Sequence, residues 1–125
     1  QMCIRDRVSL LGTKYEAEGA PVCPDDPNEA AQRYLELLHD DLDAKNAAQQ
    51  RPANDYSPFE FTSADRHFYC SAWPVKDSVS TTCVTTVGDV ALNYYLHRDG
   101  RDSAAEQQRM EDIGAELAPA LQDLD

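Results

Sequence analysis

The chain has 125 residues, of which 23 are Asp or Glu and 11 are Lys or Arg, so its formal charge is −12. This length suffices for one domain with a buried core, and no apolar run approaches the roughly 18 residues of a membrane span. Such a negative charge repels nucleic-acid phosphates and anionic membranes, which argues against direct nucleic-acid binding and favours basic protein surfaces or cations as partners.

The first residues of the chain differ in character from the rest. Residues 1–7, Gln-Met-Cys-Ile-Arg-Asp-Arg, look like a translated sequencing adaptor of the kind found at the ends of metagenomic fragments. We therefore interpret them as non-native, with the true N-terminus and any signal peptide missing. Residues 1–24 predict an irregular arm, to which Val8, Leu10 and Leu11 could add a short strand. Residues 25–125 are predicted to form a single domain.

A helix is predicted to begin after Asp26. The run Asp26-Pro27-Asn28-Glu29 combines a capping side chain, a proline suited to the first helical position and a glutamate able to close a capping box. The helix should reach about Gln49, with Pro52 beyond its end. Its apolar side chains recur at helical spacing in one stripe, which consists of Ala31, Tyr34, Leu35, Leu38 and Leu42. We expect this stripe to pack on a sheet.

Strands are predicted in the middle of the chain, where its Phe residues and its only Trp lie. Phe59 and Phe61 alternate with polar residues at the period of a half-buried strand. Residues 66–73 and 78–87 follow, and the second of these runs is almost wholly β-branched or small, which favours a pleated surface. We therefore expect two to four antiparallel strands.

Two cysteines are expected to face each other in a hairpin. With Lys76-Asp77 at its tip, Cys70 falls opposite Cys83, at a Cβ separation near that of a disulfide. The alternative is two buried free thiols, and the compartment decides between them. Oxidation would indicate a periplasmic or secreted protein, and reduced thiols a cytoplasm or a virus-infected cell. Because Pro74 cannot donate to a ladder, we expect an edge hairpin or else a longer loop with a less regular register.

The cysteine count bears on the same disulfide. The chain has four cysteines, but Cys3 belongs to the segment interpreted as non-native. Without Cys3, a Cys70–Cys83 pair leaves Cys23 over, either free or paired between chains.

Two helices are predicted after the sheet. Asp89 is expected to cap the first, an apolar segment that ends at Asp99-Gly100. Ser103 and Glu106 form a capping box for the second, whose stripe consists of Met110, Ile113, Leu117, Leu121 and Leu124. Pro119 should kink or break this last helix. The predicted fold class is α+β: a small antiparallel sheet flanked by an N-terminal helix and two C-terminal helices.

Histidines beside carboxylates are the candidate catalytic groups. Asp65 with His67, and His97 with Asp99, would each pair a general base with a neighbouring carboxylate. The sequence contains no Gly-x-Ser-x-Gly and no cysteine in a recognisable catalytic context. A position near a helix C-terminus explains His97 through the helix dipole, without catalysis. We therefore favour a protein that is not an enzyme.

His39 and Asp43 are the candidate metal ligands, since they lie one helical turn apart on a shared face. A zinc site needs a third ligand, which His67, His97 or a cysteine could supply. No spacing demands such a ligand, so a solvated helix face is the simpler interpretation. The five glycines are scattered and form no phosphate-binding loop. We expect neither a metal nor a cofactor.

Tyr69, Trp73, Tyr94 and Tyr95 are candidate interface residues, because Tyr and Trp are enriched in interface hot spots. The alternative assigns them to the core and its rim. Together with the charge, they favour a small acidic protein that works by contact, as an inhibitor or immunity-type partner of a basic protein. Two alternatives stay open: a small hydrolase or isomerase with a His/Asp pocket between sheet and helices, and a structural subunit of a larger assembly, which would be an oligomer.

Overall fold

The computed structural model describes residues 6–10, 26–87, 90–99 and 102–123. In chain order the elements are β1 (Asp6–Leu10), α1 (Pro27–Ala48), β2 (Ser57–Ser63), β3 (Arg66–Val75), β4 (Ser78–Val87), β5 (Val90–Asp99) and α2 (Ser103–Gln122). The strands form one sheet in the order β1-β5-β4-β3-β2. Strands β2 to β5 are antiparallel to their neighbours, whereas β1 runs parallel to β5. The α+β class is confirmed.

The N-terminal strand β1 includes two residues of the segment interpreted as non-native, Asp6 and Arg7. It pairs in register with the first half of β5, from Asp6 opposite Val90 to Leu10 opposite Tyr94. Some predictions fall on positions outside the described residues, namely those on Cys3, Leu11, Cys23, Asp89, Gly100 and Leu124.

Helix α1 begins where the sequence indicated. A side-chain oxygen of Asp26 accepts a hydrogen bond from the backbone N–H of Asn28 at 3.0 Å, and Pro27 occupies the first helical position. The buried residues of the helix match the predicted stripe up to Leu38, while Leu42 is half-buried. They pack on one face of the sheet, against Tyr69, Val84 and Ala91 among others.

The β3–β4 hairpin has the predicted register and two-residue turn. Cys70 lies opposite Cys83, and a disulfide joins them. The expectation of an edge hairpin is wrong, because β2 and β5 flank the pair. Pro74 is tolerated in an interior strand because the pairing of β2 with β3 ends at Ala72. Past Ala72, β3 has no partner in β2. The N–H that proline lacks would therefore have had no acceptor on that side.

The first predicted C-terminal helix is wrong, since Val90–Asp99 forms strand β5. The strand is buried on both faces from Ala91 to Tyr94: Leu92 and Tyr94 contribute to the core under α2, while Ala91 packs in the core under α1. A strand covered on both faces shows a nearly continuous apolar run, which periodicity alone does not distinguish from a buried helix. The described part of the chain therefore has two helices, not three.

Helix α2 departs from prediction at both ends. Its N-cap is Asp102, whose side chain accepts from the N–H of Ala105 at 3.1 Å, so Ser103 is already the first helical residue. Pro119 does not break the helix, which continues to Gln122. The carbonyl deprived of its partner belongs to Ala115, and both residues are exposed, so water can satisfy it.

The two helices cover opposite faces of the sheet. The α2 face forms the larger core cluster, which consists of Phe61, Phe68, Cys70, Cys83, Leu92, Tyr94, Met110, Ala118 and Leu121. The α1 face is apolar beneath the first half of that helix and polar beyond it. In the part of the chain that the structure describes, neither helix combines the length and apolarity that crossing a membrane requires.

A candidate ligand pocket between helix α1 and the sheet

A cavity of about 380 Å³ lies on the α1 side of the sheet, beneath the second half of the helix. Its apolar wall is formed by Leu38, Leu42, Trp73 and Val75, and its polar part by Asn46, Asn54, Ser80, Thr82, Asn93, Tyr95 and His97. A concave site of this size, with an apolar wall facing convergent polar groups, can hold a small molecule.

Strand pairing brings the polar floor together. Trp73 lies opposite Ser80, and Ser80 lies opposite His97, so the three form one row across the sheet. Tyr95 lies opposite Thr82 in a second row, two positions along each strand from the first and on the same face of the sheet. Because alternate residues of a strand point to the same face, both rows face the cavity.

Three side chains of the floor are linked by hydrogen bonds. The Oγ of Ser80 lies 2.7 Å from Nδ1 of His97 and 3.0 Å from Oη of Tyr95. A hydroxyl has one proton, so Ser80 can donate to only one of these two partners, and the tautomer of His97 decides which one. Ser80 is only 1 % exposed, whereas His97 lies at the exposed rim.

Asn93 contributes a further polar side chain to the floor, on β5, opposite Val84. Its side chain is 2 % exposed, and within the described residues its Oδ1 has no hydrogen-bond partner. Most buried polar atoms in proteins are hydrogen-bonded, and leaving an acceptor unpaired costs about 1–3 kcal/mol.

An aromatic cluster borders the cavity. Trp73 meets the ring of Tyr56 edge to face at 5.2 Å between centroids, and Tyr56 stacks on His39 at 3.8 Å. The Tyr56 hydroxyl lies 3.1 Å from Oδ1 of Asp43 and donates to it. Burial raises the pKa of Tyr56 to about 12 and lowers the pKa of His39.

These contacts show where the candidate metal ligands lie. His39 packs its ring on Tyr56, and Oδ1 of Asp43 accepts from Tyr56 and from the N–H of Asn54. Among the described residues, no three His, Cys, Asp or Glu side chains converge as a metal site. The pair therefore fastens the loop that follows α1.

The candidate catalytic histidines contact other groups than the aspartates with which the sequence analysis paired them. Asp65 is exposed in the β2–β3 turn, with a φ of 63°, while His67 contacts Glu60 at 3.1 Å. Asp99 accepts from Ser78 at 3.3 Å, and the hydroxyl that contacts His97 belongs to Ser80. No motif in the sequence marks Ser80, because its contact with His97 depends on the pairing of β4 with β5.

The candidate interface residues contribute to the interior of this chain. Tyr94 has no exposed surface, donates a 2.7 Å hydrogen bond to the carbonyl of Met110, and has a pKa raised by burial. Tyr69 and Trp73 are also buried, and burial raises the pKa of Tyr69. Tyr95 is half-buried and lines the cavity.

No protein-family model, curated protein sequence or solved structure matches this chain. The chemistry of the pocket therefore has to be inferred from its own side chains.

Proposed function

We propose that the protein binds a small organic molecule in the cavity between α1 and the sheet. One observation carries this proposal: an apolar wall faces a floor in which Ser80, Tyr95 and His97 are held in place by mutual hydrogen bonds. Fixed polar groups opposite an apolar wall give a ligand both affinity and orientation. The proposed role is binding without chemical conversion.

The test uses Trp73, which is the only tryptophan in the chain and lines the cavity. We would titrate the protein with p-butylphenol, which combines an apolar body with one hydroxyl group, and follow Trp73 fluorescence. A saturable change is expected. No saturable change in fluorescence and no heat of binding by calorimetry would overturn the proposal.

Matched variants locate the binding. Leu42→Phe combined with Asn46→Phe fills the cavity from α1, whereas Ala44→Phe adds the same ring to an exposed position of the same helix. The filled variant should bind p-butylphenol at least about tenfold more weakly, which corresponds to about 1.4 kcal/mol, and the control should bind it as the wild type does. Equal affinities in all three proteins would place the probe elsewhere.

A second candidate function, hydrolysis, is favoured by the 2.7 Å between Ser80 Oγ and His97 Nδ1. A hydroxyl within hydrogen-bond reach of a base is the arrangement that activates a nucleophile. The deep burial of Ser80 and its second contact, with Tyr95, make binding the better supported function.

The hydrolase alternative has a direct test with p-nitrophenyl butyrate. An enzyme using Ser80 would release p-nitrophenol and lose that activity in Ser80→Ala, whereas Ser78→Ala, on the same strand, would keep it. Equal rates for the wild type and Ser80→Ala would exclude Ser80 as the nucleophile.

Contact with a basic protein has weaker support. Exposed carboxylates lie on both helices, for example Glu36 and Asp40 on α1 and Glu111 and Glu116 on α2. Because the helices cover opposite faces, these carboxylates of the described residues are not gathered on one face. A structural-subunit role is likewise less supported, since the described residues of both apolar stripes already pack on the sheet or line the cavity beneath α1.

The disulfide supports a proposal on location. A Cys70–Cys83 bond is compatible with an oxidising compartment, because reducing systems keep most cytosolic thiols free. We propose a periplasmic or secreted protein. Mass analysis after alkylation of the protein from its natural source would test this: free thiols at both positions would contradict export.

A further inference from the structure

One described residue of the cavity floor carries a buried acceptor that no described group satisfies. Asn93 is 2 % exposed, and its Oδ1 has no partner among the described residues. By contrast, Ser80, Tyr95 and His97 satisfy one another, and the Thr82 hydroxyl donates to the carbonyl of Tyr94 at 3.3 Å. A ligand therefore gains most by donating a hydrogen bond to Asn93.

The charge of the lining limits the ligand further. Among the described residues that line the cavity there is no Asp, Glu, Lys or Arg, and the titratable side chains are Tyr95 and His97. Against these described side chains, an ion moved from water finds no permanently charged partner to offset its lost hydration. The formal charge of −12 also repels anions at longer range.

We infer that the ligand is an uncharged molecule with an apolar body and a hydroxyl or N–H group that donates to Oδ1 of Asn93. The inference rests on the proposed binding function and adds the chemical class. The body of the ligand lies between Trp73 and the helix residues Leu38 and Leu42, which supply apolar surface on opposite sides of the cavity.

Three probes with one common body separate these requirements: p-butylphenol donates a hydrogen bond, p-butylanisole has no donor, and p-butylbenzoate is an anion. In calorimetric titrations of the full chain, the phenol should bind at least about tenfold more tightly than either of the others. A hydrogen bond to an otherwise unpaired buried acceptor supplies a difference of this order.

Variants test whether Asn93 is the acceptor. In Asn93→Leu, which replaces the amide with an apolar side chain of similar size, the preference for p-butylphenol over p-butylanisole should disappear while p-butylanisole still binds. Thr81→Val is the matched control, because Thr81 lies on the same strand as Thr82 but does not line the cavity, and this variant should keep the preference.

A measurement on the wild type avoids dependence on the folding of a variant. In the nuclear magnetic resonance spectrum, the side-chain amide signals of Asn93 should shift with p-butylphenol and much less with p-butylanisole. Equal binding of all three probes, or equal shifts with both neutral probes, would overturn the inference and leave the binding function standing. If none of the probes binds, the proposed function fails as well.

Discussion

Tyr56 fastens the loop between α1 and β2 to the helix. Its hydroxyl lies 3.1 Å from Oδ1 of Asp43 and 3.4 Å from the carbonyl oxygen of His39, and its ring stacks on the imidazole. The N–H of Asn54 donates to the same carboxylate oxygen. Because Asn54 also lines the cavity, the hydrogen bonds to Asp43 hold part of the proposed ligand site in place.

The lowered pKa of His39 predicts how the stability of the folded protein depends on pH. Its largest cause is burial, opposed by the nearby carboxylates of Asp43, Asp40 and Glu36. The unfolded chain, with a pKa near 6.5, therefore binds this proton more readily than the folded chain. The contribution of His39 to the unfolding free energy is therefore fully present above pH 6.5. It is lost as the pH falls through 6.5 towards the lower pKa of the folded state.

Urea unfolding at a series of pH values checks this expectation. His39→Gln should flatten the fall in unfolding free energy below pH 6.5 relative to the wild type. His67→Gln is the control, since His67 contacts Glu60 near the sheet edge and should leave the His39 contribution in place. An unchanged pH profile in His39→Gln would contradict the assignment.

Loss of the Tyr56 hydroxyl should weaken the loop attachment. Tyr56→Phe keeps the ring on His39 and removes the hydrogen bond to Asp43. We expect the unfolding free energy to fall by about 1 kcal/mol, the usual net contribution of one such bond. Urea denaturation measures the change, and Ser57→Ala, at the neighbouring exposed position, should leave stability nearly unaltered.

At the scale of elements, α2 approaches the sheet closely at Gly114. A Cβ atom there would come within 2.5 Å of the Phe61 ring, which stacks on Phe68 and is itself buried. One turn earlier, Met110 accepts the hydrogen bond from the Tyr94 hydroxyl. A glycine in mid-helix, normally unfavourable, therefore allows the close packing of α2 on β2 and β5.

Gly114→Ala should lower the unfolding free energy by about 1–3 kcal/mol, the usual cost of overpacking a core. This is opposite in sign to the gain that alanine brings at an unconstrained helical position. Adding Phe61→Leu, which shortens the obstructing side chain, should recover part of the loss. A stabilised Gly114→Ala protein in urea denaturation would show that the helix lies farther from the sheet.

At the scale of the whole molecule, the disulfide joins the two central strands β3 and β4. Its cysteines are 13 positions apart in sequence and lie in the core under α2. The bond therefore ties together the strands that supply the floor of the cavity on one face and the α2 core on the other.

Replacing both cysteines, Cys70→Ala with Cys83→Ala, should lower the unfolding free energy by about 3 kcal/mol, as expected for a closed loop of roughly this length. Urea denaturation of the variant against the oxidised wild type measures the loss. The wild type should resist alkylation when folded, and it should take up label at both positions only after unfolding with reductant. Label at either position in the folded, unreduced protein would contradict the bond.

Local signals in the sequence were sufficient for α1 and for the β3–β4 hairpin. Asp26 and Pro27 mark the helix start because a cap needs only the next few residues, and a two-residue turn at Lys76-Asp77 sets the register that pairs Cys70 with Cys83. Both depend on neighbours along the chain, so the sequence determined them by itself.

Tertiary structure decided the state of β5 and the composition of the pocket. The segment from Val90 to Asp99 becomes a strand because the pairing with β1 and β4 satisfies its backbone and the two helices cover its faces. Only then does His97 meet Ser80, and only then does Asn93 lie unpaired beneath α1. Periodicity does not reveal these contacts, because they join residues that the chain separates and only the sheet brings together.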